Sequence, residues 1–537
     1  MMNSLYRSRS RACFSLMASA LMLGGILWCT GCATSTPSPA PTATPQADTP
    51  TVAPPATKRV NTPTLIVPIS QTARPTKSPT ATPTRAAPLA THGPYLIYTK
   101  GVNSRESIYR DEIVIMDADG KGRKTLPLPS GVWVNSLTQS VSPDGKWLAF
   151  YTGLAESPFG TDQQGPYDLA LNLMDLSNGQ TRLLTPLLSA DYPDNFRKAA
   201  LALIQQGEPV DQSDFLRGAF ARGIRSLDWS PDGRYLAFAG QMEGLSSDLY
   251  VYDVKTQAIR RLSDGPGQIQ SITWSPDGRW ILHSSSTISG KVAELDYHAA
   301  SVDGSIKTCS STNIDSRNFW GWLAPSTYLQ SHTTNGLPGE TYHLQSVNIE
   351  TGAIKTLWAG SFRSIAFDPE NNLLALTGFE SLVPAQHPTL FLIDLSNGNQ
   401  RKIKEADAIE FVGVRDKRFI AAVTVAHFSV MADGSTGQAG YCASAPVSPD
   451  RQYCVFLVSL GKELQVYAAD TTLVREIKLG RSVGSTERII WRPDSSGLFF
   501  TWGSELYAAN LLEGEAYLVD RDVLTGRAFD YMWGSCP

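Results

Sequence analysis

Positive charge is in short supply: 46 Lys and Arg stand against 50 Asp and Glu, a formal net charge of -4 at pH 7. Without a broad basic field the chain has nothing to gather a phosphate backbone, which sets nucleic-acid binding aside as a main role. Charged residues are only 18% of the chain and hydrophobic ones 42%, the balance of a globular protein with a large core. Cofactor signatures are missing too. There is no P-loop or dinucleotide fingerprint, and the seven His residues are scattered without HExxH or another close metal spacing. No cofactor and no metal site is expected.

Two short matches to catalytic or metal motifs fail on context. "GRSVG", Gly480 to Gly484, has the serine-hydrolase elbow pattern around Ser482, but the elbow needs a helix after it and a later His. Here "TERIIW" reads as a strand, and the last His is His427. "DADGKG", Asp117 to Gly122, looks like a calcium loop, yet Lys121 occupies a ligand position and Leu128 stands where a bidentate Glu belongs. A hairpin turn is expected there instead.

Residues 1–32 differ in kind from the rest. Arg7, Arg9 and Arg11 precede an apolar run from Phe14 to Trp28 that ends at Thr30, Gly31 and Cys32, the pattern of an export signal. "CTGC" is similar to the lipobox of bacterial lipoproteins, with Cys32 as the lipidated residue and Cys29 where Leu is usual. Simple cleavage nearby, or a retained anchor, are the alternatives; the run is short of the roughly 20 apolar residues of a membrane span. Residues 33–92 are dominated by Pro, Thr, Ala and Ser and read as a disordered stalk, too polar to offset its ordering entropy.

From Gly93 to Pro537 a phrase recurs: "VSPDGKWLAF" at Val141, "WSPDGRYLAF" at Trp229 and "WSPDGRWILH" at Trp274. Pro, Asp and Gly supply a type I turn closed by a left-handed residue, and the alternation on either side supplies two strands. Further strands follow, as in "DLYVYDV" and "TLFLIDLSNG", so the unit has four strands. Trp229, Trp274, Trp322 and Phe367 recur about 45 residues apart, the period of a propeller blade. Weaker copies begin at Phe367, Val447 and Trp491, and "VGVRDKRFIAAV" from Val412 is degenerate. The expected fold is an all-β propeller of four-stranded blades, eight favoured and seven to nine allowed, with a small helical insertion. "FDYMWGS" near the end lacks a partner and "PYLIYT" at Pro94 lacks a preceding strand; pairing the two would close the ring.

These phrases resemble the TolB-like, WD40-like (PD40) propeller repeat, found in bacterial envelope proteins and in propellers of prolyl-oligopeptidase-type enzymes. The resemblance implies the fold and leaves the function open, because its residues build hairpins and not sites. The chain departs from TolB in having a stalk where TolB has an α/β domain, and in having more repeats.

Cys309, Cys442, Cys454 and Cys536 fall in the repeat region. Two disulfides are possible in an oxidising compartment, Cys442 with Cys454 being favoured because they flank one hairpin, with free buried thiols as the alternative. Residues 191–223 interrupt the repeat, and "NFRKAALALIQQ" within them carries a helical apolar stripe. The position four residues before each repeat aromatic holds Arg225, Gln270, Asn318, Arg363 and Glu487. As starts of innermost strands they are expected to gather at one channel mouth, either as a ligand site or as solvated strand ends. Arg225 and Arg363 are the contacts favoured for an anionic or hydroxyl-rich ligand.

Taken together the sequence favours an extracytoplasmic lipoprotein of the bacterial cell envelope, held to the membrane through its N-terminal lipid. Its propeller is expected to bind a protein, peptide or glycan without catalysis. A propeller-type hydrolase or lyase, or a structural subunit of an envelope assembly, are the alternatives.

Overall fold

Each Ser-Pro-Asp-Gly phrase folds as a turn held by its own side chains. In the computed structural model of the chain, Ser142 Oγ donates to Asp144 Oδ1 (2.6 Å), and the Lys146 N–H donates to the same oxygen (3.2 Å). The Trp147 N–H donates back to Ser142 Oγ (2.9 Å). Ser230 with Asp232, Ser275 with Asp277 and Ser448 with Asp450 repeat the arrangement. Gly145, Gly233 and Gly278 sit at φ 74°, 72° and 74°, the left-handed region that glycine enters without a Cβ clash. In the weaker copies Arg451 and Ser495 take that position at φ 64° and 62°, whereas in "FDPENN" the left-handed residue is Asn372, one residue later, at φ 53°. "DADGKG" is likewise a hairpin turn, the Gly120 N–H donating to Asp117 O (2.8 Å).

The structure describes most of residues 92–535; residues 1–88 and the internal stretches 102–109, 153–168, 190–225, 309–316, 334–341, 380–386, 439–444 and 480–487, with some shorter ones, lie outside the described residues. The export signal with Cys32, the stalk and the insertion at 191–223 therefore fall outside them.

Among the described residues the strands form nine antiparallel sheets, seven of four strands and two of three. Numbered along the chain, sheet 1 contains Tyr95–Lys100, Glu112–Asp117 and Arg123–Pro127, and sheet 2 runs from Trp147–Thr152 to Thr181–Pro186. Sheet 3 runs from Leu227–Trp229 to Ile259–Arg261, sheet 4 from Gln268–Trp274 to Ile306–Thr308, and sheet 5 from Arg317–Ala324 to Ile354–Ala359. Sheet 6 runs from Phe362–Asp368 to Gln400–Glu405, and sheet 7 from Ile409–Arg415 to Thr436–Gln438. Sheet 8 runs from Tyr453–Val458 to Leu473–Lys478, and sheet 9 from Ile489–Trp491 to Glu515–Arg521. Nine stands at the upper bound expected from the repeats, one more than favoured. The degenerate segment accounts for the difference, since Ile409–Arg415 pairs with Arg418–Val423 as a full hairpin; alternating apolar residues set the register even without the turn phrase.

From sheet 1 to sheet 7, and from sheet 8 through sheet 9 back to sheet 1, successive sheets share apolar cores, so alternate side chains of one strand enter two different cores. Tyr95 and Ile97 pack with Leu148 and Phe150 of sheet 2, whereas Leu96 and Tyr98 pack with Ile490, Phe499 and Leu506 of sheet 9. The last strand, Tyr531–Gly534, pairs with Tyr95–Lys100 as the innermost strand of sheet 1, Tyr98 opposite Tyr531. The stack thus closes on itself as a propeller, and the expected pairing of the terminal segments is what closes it.

Repeat tryptophans fasten neighbouring sheets. The indole N–H of Trp229 donates to Ser140 O (3.0 Å), that of Trp274 to Asp228 O (2.8 Å) and that of Trp491 to Pro446 O (3.1 Å). Each bond runs from one sheet's inner strand to the inner segment of the sheet before it. In sheet 2 that segment is a helical turn, α1 (Leu137–Ser140), followed by a bridge from Val141 to Leu148. Cys454 in sheet 8 is fully buried and disulfide-bonded. Its partner, like Cys309, Cys442 and Cys536, lies outside the described residues.

Candidate functional site: the bulged inner strands

Antiparallel order gives every sheet two ends. At one end lie the turns joining the first strand to the second and the third to the fourth; this is the hairpin end. The second-to-third loops and the connections to the next sheet share the other, the connection end. Inner strands begin at the connection end, and there the ladder of four consecutive sheets is interrupted at one residue.

In sheet 4, Ile269 pairs with Ser285 and Ser271 with Ser284, leaving Gln270 as an extra residue. In sheet 5, Phe319 pairs with Gln330 and Gly321 with Leu329, leaving Trp320. In sheet 6, Phe362 pairs with Gly378 and Ser364 with Thr377, leaving Arg363. In sheet 7, Phe411 pairs with Ala421 and Gly413 with Ile420, leaving Val412. These are β-bulges, which bend a strand and re-aim the extra side chain.

Two of the residues singled out by spacing, Gln270 and Arg363, are therefore bulge residues. Asn318 is not, since it pairs regularly with Ser331. Counting back from Trp322 misses the bulge because sheet 5 has a second irregularity between Trp322 and Ala324, which displaces the aromatic relative to the hairpin. The bulge residue there is Trp320, a second tryptophan in "RNFWGWLA" that stands out of register with the repeat; that extra aromatic was its sequence signal. Arg225, Glu487 and Ser482 lie outside the described residues.

Around these bulges the chemistry differs from sheet to sheet. Gln270 Nε2 donates to Ser286 Oγ (2.9 Å), and Gln270 O accepts from Ser226 Oγ (2.8 Å). Trp320 turns toward sheet 6, its ring 5.5 Å from that of Phe362 and its indole N–H donating to Ser331 Oγ (2.9 Å). Tyr342 meets Phe362 edge-on at 6.3 Å and is 42% exposed. Arg363 is exposed, with its guanidinium 5.2 Å from the Phe379 ring centroid, and it forms no ion pair among the described residues.

Other charged groups at this end serve the ring itself. Asp520 of sheet 9 accepts from Lys100 Nζ (3.1 Å) and Arg123 Nη1 (2.8 Å) of sheet 1, and from the Tyr98 hydroxyl. Lys100 and Asp520 are only 8% and 6% exposed, so the pair is a buried lock across the closure. Burial, reinforced by the Asp520 charge, pushes the Tyr98 phenol well above its ordinary value. Asp530, just before the closing strand, accepts from the Leu137 N–H (2.6 Å) that opens α1. Burial raises its carboxyl to about 6, against the lowering influence of that bond and of Arg110 and Arg488. Arg488 lies 4.9 Å from the Tyr531 ring and donates to Phe529 O.

The WD domain, G-beta repeat family model matches residues 212–253, which include the first three strands of sheet 3. The described unit is a WD40-like β-propeller. The chain is similar to TolB from Acinetobacter baumannii at 17% identity, over 58% of this chain and 65% of that one, with a TM-score of 0.28. It is similar to dipeptidyl peptidase 4 of Porphyromonas gingivalis at 10% identity, over 79% and 60%, with a TM-score of 0.41. A prolyl endopeptidase gives 11% identity over 72% and 49%, with a TM-score of 0.35. The chain thus spans about half to two thirds of the length of these three structures. No curated protein matches the chain. The fold assignment rests on the sheets, their closure and the repeat match.

Proposed function

We propose that the protein is a lipid-anchored, extracytoplasmic propeller of the bacterial envelope that binds a partner at its connection end without catalysis. The anchor is Cys32, and residues 33–92 act as the spacer that carries the propeller away from the membrane. The observation that carries the binding reading is Arg363, exposed at the bulge between Phe362 and Ser364 and without an ion pair among the described residues. A charged side chain re-aimed by a bulge and left without an ionic partner is available to a ligand.

Two variants of the full-length chain test this. Cys32→Ser should move the protein from the membrane fraction to the soluble extracytoplasmic fraction with its melting temperature unchanged. Arg363→Ala combined with Tyr342→Ala should reduce co-sedimentation with isolated envelopes, again without changing the melting temperature. Membrane fractionation that ignores Cys32 would remove the anchor, and co-sedimentation that ignores the double variant would remove the binding face.

A further inference from the structure

We infer that the bulges of sheets 4 to 6 form a subsite for an acidic polysaccharide, in which aromatic rings stack on sugar rings and Arg363 pairs with a sugar carboxylate. The inference rests on the reading of the connection end as the binding face, and it names the ligand.

Three observations converge on this chemistry. First, the bulge position recurs on consecutive sheets with complementary groups: an amide at Gln270, an indole at Trp320 and a guanidinium at Arg363. A row of equivalent positions, one per blade, matches a ligand that itself repeats. Second, Trp320, Phe362 and Tyr342 form a chain of ring contacts across the seam of sheets 5 and 6. The Trp320 donor is already used on Ser331, so apolar ring surface is what this group offers, and the C–H face of a pyranose is apolar while its rim carries hydroxyls. Third, Arg363 is an exposed cation at this end with no ion pair among the described residues. Arg261 is spent on Asp248 (2.6 Å), Asp264 (2.7 Å) and Glu243 (3.3 Å), and Lys100 on Asp520 (3.1 Å). The Phe379 ring holds the Arg363 guanidinium in place without neutralising it.

An extended peptide is the weaker fit. A peptide adding to an inner strand needs an unbroken row of backbone donors and acceptors. The bulges break that row on each of these sheets.

The test is equilibrium binding of the detergent-solubilised full-length chain to sodium alginate, to alginate whose carboxylates are blocked as propylene glycol esters, and to neutral pullulan. Alginate should bind, with affinity falling as salt rises. Arg363→Gln should weaken alginate binding about tenfold and leave the weaker binding of the ester unchanged. Tyr342→Ala, at an exposed position, should weaken alginate and ester by similar factors of about tenfold. The assignment is overturned if alginate does not bind at millimolar repeat units, if ester and alginate bind equally, or if Arg363→Gln has no effect. Envelope co-sedimentation of the same variants separates the two readings. If the variants lose envelope binding but alginate never binds, the binding face stands and the polysaccharide falls. If they lose neither, both fall.

Discussion

The two ends of the sheets treat carboxylates in opposite ways. At the hairpin end the partial desolvation of Asp144, Asp277 and Asp450 alone would push them up, but hydrogen bonds from Ser142, Ser275 and Ser448 and from nearby backbone N–H groups hold all three below the usual range. Asp303, Asp394 and Asp433, in the exposed second turns, are lowered by Ser301, Ser396 and Ser435. At the connection end burial wins: Asp248 and Asp530 are both raised. A hairpin carboxylate of this kind spends its charge mainly on its own turn. The connection end holds charges that are buried in locks within or between sheets or, as with Arg363, exposed with no ion pair among the described residues. Evolution of such a scaffold leaves the first end repetitive and the second free to vary.

The largest expected effect falls on the closure lock. Asp520→Ala would leave Lys100 buried and Arg123 half-buried without their shared carboxylate and should cost about 3–5 kcal/mol by chemical denaturation. A cost below about 1 kcal/mol would mean that the pair behaves as a surface ion pair, and would erase the distinction between structural and available charges at this end.

Next is the raised carboxyl. Because the folded-state value of Asp530 lies near 6, above the usual unfolded value of about 3.9, its contribution is intact in acid and is lost as pH rises through 6. Asp530→Asn should therefore change little at pH 4 and stabilise by about 1–2 kcal/mol at pH 8. The hairpin aspartates carry the opposite sign: their contribution is present above the usual carboxylate range and disappears as pH falls below it. A gain from Asp530→Asn at pH 4 that vanishes at pH 8 would reverse the contrast between the two ends.

A smaller effect belongs to the hairpin end alone. Arg451 holds the left-handed position that glycine fills in the stronger repeats, so Arg451→Gly should stabilise by about 0.5–1 kcal/mol in thermal melts. A loss of stability would show that the Arg451 side chain matters more than its backbone geometry.

The hairpin end was legible in the sequence because its turns need particular residues: Pro for φ, Asp and Ser for the internal hydrogen bonds, Gly for the left-handed position. Four-stranded units, Trp229 and Trp274 as contacts between sheets, and closure through the last strand all follow from that regularity. Sheet 7 was harder to count, since Ile409–Arg415 and Arg418–Val423 pair by alternation with no turn phrase to mark them. The helical turn α1 was missed because Leu137–Ser140 is too short to show a helical period. The bulges were half legible. A bulge adds one residue to a strand without a composition signal of its own, so Gln270 and Arg363 were found through their constant distance from the repeat aromatics. Where that distance changes, as before Trp322, the same count gives Asn318 in place of Trp320.

The most direct test of the division between the two ends pairs one variant from each, Asp277→Ala and Arg363→Ala, in the full-length chain, measuring melting temperature and envelope co-sedimentation side by side. Asp277→Ala should lower stability by about 1 kcal/mol through the lost turn bonds and leave binding intact. Arg363→Ala should leave stability within about 0.5 kcal/mol and weaken binding. The account is contradicted if Asp277→Ala abolishes binding at temperatures where the protein remains folded, or if Arg363→Ala destabilises the fold and leaves binding unchanged.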